Sequence, residues 1–253
     1  MQISAVIITK NEERNIERCL ISLQNIVDEI VVVDSFSTDE TENICKKYNV
    51  CFFQQEWLGY AEQKNYANSL AEYDVIFSID ADEALSEELQ QTILEMKKSN
   101  QENFLGKVNR LNNYCGKWIH YSGWYPDKKI RLFNRKQAKW KGDIHETLSF
   151  SKGNNFISLK GDLHHYSYYS IDEHILQMNK FSTLFANEDF KNGKKASFLS
   201  LYLKPWWKFV RDYIFNAGFL DGYYGYVICK ISAVSTFLKY AKLKQLHKTT
   251  SKK

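Results

Sequence analysis

The sequence predicts an α/β fold in which a mostly parallel sheet is flanked by helices and followed by a C-terminal helical extension. Three observations predict it. Apolar runs of strand length alternate with amphipathic helical patterns over the first 100 residues. These runs are apolar on both faces, which is typical of a parallel sheet covered on both sides. The last 50 or so residues are aromatic and basic and have a helical pattern.

The first half of the chain predicts four strands and four helices in alternation. The predicted strands are 3–8, 29–33, 50–53 and 75–79. Helices are predicted over 12–23 and 59–70. A capping box from Ser37 to Glu40 predicts the start of a third helix, and Ser86 caps a fourth.

The pattern changes beyond residue 100. Short strands predicted over 104–108, 130–133 and 156–159 are separated by polar and aromatic loops, and this spacing favours mixed strands that extend the sheet. Ser170 and Glu173 form another capping box before a helix that runs to about residue 190. Residues 198–246 are helix-like.

Composition limits the cellular setting and the partners. The five cysteines form no CxxC pair and no zinc-site spacing, and the N-terminus lacks a basic leader, so we expect a cytoplasmic protein. The net charge is +4, but residues 203–253 hold ten lysines or arginines against two aspartates, a net of +8. This asymmetry favours an anionic partner, either nucleic acid or a membrane surface. The low arginine content of this tail argues against nucleic acid.

The tail favours peripheral attachment to the inner face of the cytoplasmic membrane. Trp206 and Trp207 stand next to basic residues, a combination suited to the membrane interface. The apolar stretch 219–237 is interrupted by Asp221 and Lys230, so it is a poor spanning helix. Packing of these aromatics onto the rest of the chain is the alternative, and the sequence leaves both open.

Polar residues follow three of the predicted strands at their carboxyl ends, where ligands bind in parallel α/β sheets. They are Thr9, Asn11 and Glu12 after the first strand, Asp34 after the second, and Asp80 and Asp82 after the fourth. The two aspartates of the DxD pair offer oxygen ligands suited to Mg²⁺ or Mn²⁺ on a diphosphate. A solvated acidic turn that caps the next helix is the alternative.

No glycine-rich loop follows the first strand, which weakens the case for a dinucleotide oxidoreductase or a P-loop enzyme. A nucleotide held by side chains and a metal ion fits better. A nucleotidyltransferase and a nucleotide-sugar-binding protein without catalysis stay as alternatives.

The segment 118–135 is rich in aromatic and basic residues, and Trp124, Asp127 and Arg131 are its candidate acceptor-binding residues. Ordinary packing at a sheet edge is the alternative for that segment.

The first 85 residues resemble glycosyltransferase family 2. The resemblance lies in the stretches SAVIITKNEERNIERCLISL, EIVVVDSFSTDET, WLGYAEQKNYA and VIFSIDADE, in the family's order and spacing. It implies the GT-A fold, a Rossmann-like architecture, and transfer of a sugar from a nucleotide donor, usually a UDP-sugar, with inversion. Ser35 stands where many members have a second aspartate.

The resemblance also assigns roles to residues. It implies that Thr9, Asn11 and Glu12 lie at the base and ribose, that Asp34 holds the nucleoside, and that Lys64 lies near the diphosphate. Asp80 and Asp82 correspond to the DxD pair, with Asp82 as the direct ligand of Mn²⁺ or Mg²⁺. Members often add a late histidine to the metal ion. His164 is favoured over His165 here, and only one can face the metal because neighbouring strand residues point to opposite faces.

The second half resembles the lipopolysaccharide-core β-glucosyltransferases through YPDKKIRLFNR and WKGDIHETL. This resemblance implies that Glu146, after His145, is the catalytic base that deprotonates the acceptor hydroxyl. It implies a hexosyltransferase that transfers glucose or another hexose to a glycan or glycolipid acceptor of the cell envelope. The domain prediction is a catalytic domain over 1–197, with a donor half (1–100) and an acceptor half (101–197), and a helical tail over 198–253.

Overall fold

The computed structural model describes residues 1–99, 104–142, 146–150 and 155–250. The strands are β1 Ile3–Thr9, β2 Glu29–Asp34, β3 Cys51–Gln54, β4 Val75–Asp80, β5 Glu83–Leu85, β6 Phe104–Tyr114, β7 Lys117–Ile119, β8 Asp127–Asn134, β9 Ala138–Lys141, β10 Thr147–Phe150 and β11 Asn155–Tyr168. The α-helices are α1 Ile16–Leu23, α2 Thr41–Cys45, α3 Tyr60–Leu70, α4 Glu87–Lys98, α5 Ile171–Lys191, α6 Lys204–Val210 and α7 Gly222–Thr250. Two π-helical segments, Leu199–Leu203 and Arg211–Phe215, flank α6, and a 3₁₀ turn covers Gly218–Asp221.

The predicted fold class is confirmed. The main sheet has the order β3-β2-β1-β4-β8-β6-β11-β5, with β7 paired to β6, and a separate hairpin joins β9 and β10. Strands β3, β2, β1 and β4 are parallel, as the alternation of strands and helices predicts, and β8 adds to β4 in the antiparallel sense. The sheet is therefore parallel in its first half and mixed in its second.

Both faces of the parallel sheet are buried. Ile3, Ala5 and Ile7 of β1 point to one side, where they pack in a core that includes buried residues of α1 and α4. Val6 points to the other side, where the core includes buried alanines of α3. Successive side chains of a strand face opposite sides, so an unbroken apolar run is what a strand covered on both faces requires.

The chain divides into two units. The first comprises Met1–Leu111 and Asp127–Tyr166, and the second comprises Asn112–Pro126 and Ser167–Lys253. Helix α5 belongs to the second unit, where it packs along α7. The domain boundary at 197 and the donor and acceptor halves stay a prediction.

An aromatic cluster forms the centre of the second unit. Tyr114 is fully buried, and its ring lies against Trp124, Tyr168, His174 and Tyr224. The hydroxyl of Tyr114 is 3.0 Å from Nδ1 of His174, and burial lowers the pKa of this histidine to about 4. The histidine is therefore a neutral part of this core near neutral pH.

A buried carboxylate fixes the loop that carries Trp124. Asp221 accepts hydrogen bonds from the backbone N–H groups of His120 (3.1 Å) and Tyr121 (3.0 Å) and from Oγ of Ser122 (3.1 Å). Only 2% of Asp221 is exposed. Its carboxylate therefore satisfies three donors that folding removes from water.

We expect Asp221→Ala to lower the free energy of unfolding by about 2–3 kcal/mol, because unpaired buried donors each cost about 1–3 kcal/mol. Urea unfolding followed by circular dichroism measures the change. Asp172→Ala is the control, since this exposed residue in the first turn of α5 contributes less than about 1 kcal/mol through the helix dipole. Equal losses in the two variants would contradict the role given to Asp221.

Candidate functional site

The predicted donor-site residues lie side by side at one edge of the parallel sheet. In the register of β1 with β2, Thr9 is opposite Asp34, and in the register of β1 with β4, Ile8 is opposite Asp80. Adjacent strands are about 4.8 Å apart. The ends of β2, β1 and β4 therefore bring Asp34, Thr9 and Asp80 to one row, at the carboxyl ends where ligands of such sheets bind.

Asp34 is tied to the loop after β1. It is fully buried, and it accepts hydrogen bonds from the backbone N–H of Ser37 (2.8 Å) and from the Ser37 hydroxyl. The same hydroxyl accepts a hydrogen bond from N of Asn11 (2.8 Å), and Oδ1 of Asn11 accepts one from N of Thr38 (2.8 Å). Asn11 has φ +55°, a region that asparagine tolerates better than most residues.

The prediction of a capping box at Ser37 is wrong, because Ser37 belongs to this hydrogen-bond network. Helix α2 begins at Thr41, and the Ser37 side chain bonds Asp34 and Asn11 instead of a helix N–H group. The N-cap position is Glu40, whose side chain makes no capping hydrogen bond, and Oδ1 of Asp39 just before it accepts from N (3.1 Å) and Oγ1 (2.6 Å) of Thr41. The segment that the sequence assigns to a helix start therefore holds Asp34 and Asn11, two of the predicted donor-site residues, in place.

Thr9 and Glu12 each carry a buried or half-buried polar group that the surrounding residues do not fully stabilise. Oγ1 of Thr9 is buried and has no hydrogen-bond partner among the described residues. Burial raises the pKa of Glu12, and the negative charges of Asp82, Asp39 and Asp80 add to the effect, although a hydrogen bond from Asn15 opposes it. Glu12 therefore lies in the electrostatic field of the DxD pair.

Lys64 joins the DxD pair to the predicted base. Its Nζ is 3.0 Å from Oδ1 of Asp80 and 3.1 Å from Oε1 of Glu146, and its ammonium group lies 4.9 Å from the ring centroid of Trp140. Only 4% of Lys64 is exposed, so one buried cation links both carboxylates. Residues 143–145, including His145, lie outside the described residues.

Two cations hold Asp80. Its Oδ2 accepts from Nη2 of Arg131 at 2.7 Å, while Lys64 lies at Oδ1. Burial acts to raise the pKa of Asp80, but Arg131 and Lys64 hold this pKa well below its usual range. The carboxylate of Asp80 therefore stays ionised.

Arg131 lies under the DxD pair, not in an open acceptor pocket. Its Nη2 also bonds Oε1 of Glu83 at 2.5 Å, and only 4% of Arg131 is exposed. Glu83, which is 1% exposed, accepts in turn from N of Asp80 at 3.0 Å. The acceptor prediction for Arg131 does not agree with this placement, because β8 is an inner strand between β4 and β6 and its residues 131–134 are all buried. The position of Glu83 in the site is not predicted from the sequence.

The other two predicted acceptor residues lie in different units. Asp127 belongs to the first unit, where Arg110 (Nη2, 2.7 Å) and Lys129 (Nζ, 3.1 Å) pair with its carboxylate. Burial acts to raise the pKa of Asp127, but these cations lower it overall. Trp124 belongs to the second unit, in the aromatic cluster around Tyr114. Their acceptor roles stay predictions.

The carboxylate of Asp82 lies within hydrogen-bond distance of a histidine of β11. Its Oδ2 is 3.1 Å from Nε2 of His165, and its backbone oxygen accepts from N of Tyr166 at 2.9 Å. The sequence prediction favours His164, whereas His165 is the neighbour of Asp82. The reason is the register of β11 on β5, which places His165 opposite Glu83 and His164 opposite Ala84. Burial lowers the pKa of His164, although the charge of Asp162 opposes the effect.

Asp82 and His165 offer two metal-binding groups that converge. Within the described residues, no three His, Cys, Asp or Glu side chains are arranged to hold a metal ion by themselves. Mg²⁺ in nucleotide sites is commonly bound by one or two protein groups, with phosphate oxygens and water as the other ligands. The pair therefore fits a divalent cation that arrives together with a diphosphate.

Comparisons with known proteins identify relatives over most of the chain. A family model described as "Glycosyl transferase family 2" matches residues 4–156. An uncharacterized glycosyltransferase of Rickettsia typhi is 37% identical, and the match covers 97% of this chain and 87% of that protein. The lipopolysaccharide core biosynthesis glycosyltransferase LpsC of Rhizobium meliloti is 32% identical over 98% of this chain and 93% of that protein. The crystal structure of S. aureus TarS 1–349 in complex with UDP is 15% identical, covers 99% of this chain and 92% of that one, and gives a TM-score of 0.47.

Proposed function

The chain belongs to glycosyltransferase family 2, and from this premise we propose that it transfers a hexose from a UDP-sugar, with inversion, to a hydroxyl of a lipopolysaccharide-core or other cell-envelope glycan. One observation carries the proposal. Lys64 binds the first aspartate of the DxD pair and Glu146 at the same time, at 3.0 and 3.1 Å. A donor-site carboxylate and a candidate base therefore share one cation at the carboxyl end of β4.

The donor is proposed to bind along the row of strand ends. Asp34 and Asn11, held by the Ser37 hydroxyl, face the nucleoside together with Glu12. The unpaired hydroxyl of Thr9 supplies a further polar group beside them. Lys64 donates to the diphosphate, because an ammonium group between two carboxylates can exchange one of them for a phosphate oxygen.

Asp82 and His165 are the residues that would hold a divalent cation such as Mn²⁺ or Mg²⁺. When bound, the cation supplies positive charge that stabilises the leaving diphosphate. Asp80 serves a different purpose in this proposal. Since Arg131 and Lys64 occupy both of its oxygens, Asp80 positions Lys64 for the diphosphate.

Glu146 is proposed as the catalytic base. The acceptor oxygen forms a new bond to the anomeric carbon, the bond from that carbon to the diphosphate oxygen breaks, and the hydroxyl proton moves to the Glu146 carboxylate. Lys64 holds Oε1 of Glu146, which leaves the other oxygen for the incoming hydroxyl. Attack from the face opposite the leaving group inverts the configuration.

The acceptor class rests on the name of one relative, the lipopolysaccharide core biosynthesis glycosyltransferase of Rhizobium meliloti. Asp127, which lies in the first unit together with the donor residues, is proposed to hydrogen-bond sugar hydroxyls of the acceptor. The stacking role of Trp124 stays a sequence prediction. A screen of several UDP-sugars against core oligosaccharide, followed by mass spectrometry of the product, tests donor and acceptor together. A hexose added to the acceptor with release of UDP supports transfer; release of pyrophosphate from a nucleoside triphosphate would favour nucleotidyl transfer.

UDP with Mn²⁺ is expected to stabilise the fold by about 2.7 kcal/mol at a hundredfold excess over its Kd, because it binds only the folded state. Thermal unfolding with UDP, with and without the metal ion, measures this shift. In Asp82→Asn the metal-dependent part is expected to disappear, while Asp172→Asn, in the exposed first turn of α5, keeps it. If no nucleoside diphosphate changes the melting curve, the donor site is wrongly placed.

A further inference from the structure

The segment before α7 exposes pairs of large apolar residues that lie four or eight positions apart. The pairs occupy positions 198–199, 202–203, 206–207 and 214–215, and every one of these side chains is at least half exposed. They include both tryptophans of the segment, Trp206 and Trp207. We call these four pairs the exposed stripe. Large side chains in such number are rarely left open to water without a binding role.

The two π-helical segments keep the stripe on one side. In an uninterrupted α-helix, positions four apart rotate by about 40° at each step, so the last pair would lie nearly opposite the first. A π turn takes up more residues than an α turn, because its hydrogen bonds join residues five apart. The segments Leu199–Leu203 and Arg211–Phe215 flank α6 and bring the average repeat close to four residues. The backbone irregularity therefore aligns the stripe.

The opposite side of the same segment is packed within the second unit. Ser200 and Asp212 are buried, and the rings of Phe209 and Tyr213 lie against Tyr226 of α7, at centroid distances of 5.9 and 5.7 Å. The segment is thus amphipathic: its polar and aromatic inner face is used for folding. The eight apolar side chains of the outer face are each at least half exposed, so the described residues of the second unit do not cover them.

The charge of this region selects the kind of partner. Between positions 198 and 226 the only acidic residues are Asp212 and Asp221, and each is 2% exposed. Lys208 (2.6 Å) and Arg211 (2.9 Å) neutralise Asp212. No carboxylate of this stretch therefore faces outward, and residues 203–253 as a whole carry a net charge of +8.

We propose that the exposed stripe binds the surface of a lipid bilayer that contains anionic headgroups. Tryptophan, tyrosine and phenylalanine rings favour the boundary between headgroups and acyl chains, and the basic residues gain from anionic lipid. No helix among the described residues is long and apolar enough to cross a membrane. This inference does not depend on the proposed donor, acceptor or base.

The test is co-sedimentation of the full chain with vesicles of phosphatidylcholine alone and with vesicles that also contain phosphatidylglycerol. We expect binding to the anionic vesicles and a blue shift of tryptophan fluorescence. The double variant Trp206→Gln and Trp207→Gln is expected to lower the partition coefficient about tenfold or more, because two large apolar surfaces are lost. A second double variant, Ile214→Gln and Phe215→Gln, is expected to weaken binding as well, since both residues belong to the stripe and are more than half exposed.

Trp57→Gln is the matched control, because this tryptophan is 47% exposed in the first unit, outside the stripe. It is expected to bind vesicles like the unchanged chain, and thermal unfolding checks that every variant is folded. Equal binding by the control and the stripe variants would overturn the proposal. So would a lack of binding by the unchanged chain. Loss of a dimer in light scattering, with vesicle binding retained, would assign the stripe to self-association and overturn the proposal too.

Discussion

Glu146→Gln is expected to lower kcat by about 10²–10⁴-fold, the usual contribution of a general base. The amide cannot take the proton of the acceptor hydroxyl, but its oxygen can still accept the hydrogen bond from Lys64 that Oε1 makes at 3.1 Å. Donor affinity should therefore change little. Steady-state kinetics with a UDP-sugar measures the loss, and calorimetric titration with UDP measures donor binding.

The matched control is Glu62→Gln. Glu62 is an exposed glutamate in the first turn of α3, two residues before Lys64, and it has no part in the proposed site. Its removal changes the net charge equally and is expected to leave kcat within about twofold, as for surface substitutions away from a site. Retained turnover in Glu146→Gln would reject the base assignment, whereas loss of UDP binding would mean that Glu146 serves the donor.

The parallel half of the sheet can be predicted from local patterns. Strands β1, β2 and β4 are apolar on both faces, and each is followed by a helix, so the sequence alone predicts parallel neighbours. Polar residues directly after such strands fall on the same edge, which is why Asp34 and Asp80 could be assigned to one site. This pattern does not predict which side chain pairs with each carboxylate.

Two capping motifs of the same type have different outcomes. Ser170 accepts from N of Glu173 at 3.1 Å, as its motif predicts for the start of α5. Ser37 has the same motif, but the buried carboxylate of Asp34 lies three residues before it and accepts the hydrogen bond of its hydroxyl. A buried charge gains more from a hydrogen bond than a helix N–H group that water can reach. The difference therefore depends on burial, which a local motif does not contain.

The choice between His164 and His165 depends on strand register. The alternation rule correctly implies that only one of them faces Asp82, but it does not say which one. That is set by pairing of β11 with β5, a strand of three residues, Glu83–Leu85, that carries no periodic signal. For the same reason the β9–β10 hairpin, which holds Trp140 beside Lys64, is absent from the sequence prediction.

The basic and aromatic composition of its segment makes Arg131 a candidate acceptor-binding residue, but β8 is an inner strand between β4 and β6. Residues 131–134 of this strand are buried. An arginine there requires anionic partners, and Asp80 and Glu83 supply them. The sequence signal that could have indicated this is the third acidic residue after β4, since three carboxylates in four positions need a nearby cation.

We expect Arg131→Met to lower the free energy of unfolding by about 3–5 kcal/mol, because its removal leaves the buried carboxylate of Glu83 with the more distant cation of Arg110, at 3.5 Å. Glu83 is 1% exposed and would lose its contact at 2.5 Å, and Asp80 would lose one at 2.7 Å. Urea unfolding by circular dichroism measures the change. Lys129→Met is the control on the same strand, since its ion pair with Asp127 is solvent-accessible and contributes about 0–1 kcal/mol.

A double variant separates the buried charge from simple loss of packing. Arg131→Met combined with Glu83→Gln removes the cation and the fully buried anion together, so we expect it to be more stable than Arg131→Met alone. If the loss came only from the shape of the arginine side chain, the second substitution would add to it. Arg131→Met that costs no more than Lys129→Met would show that the cluster around Asp80 does not depend on this arginine.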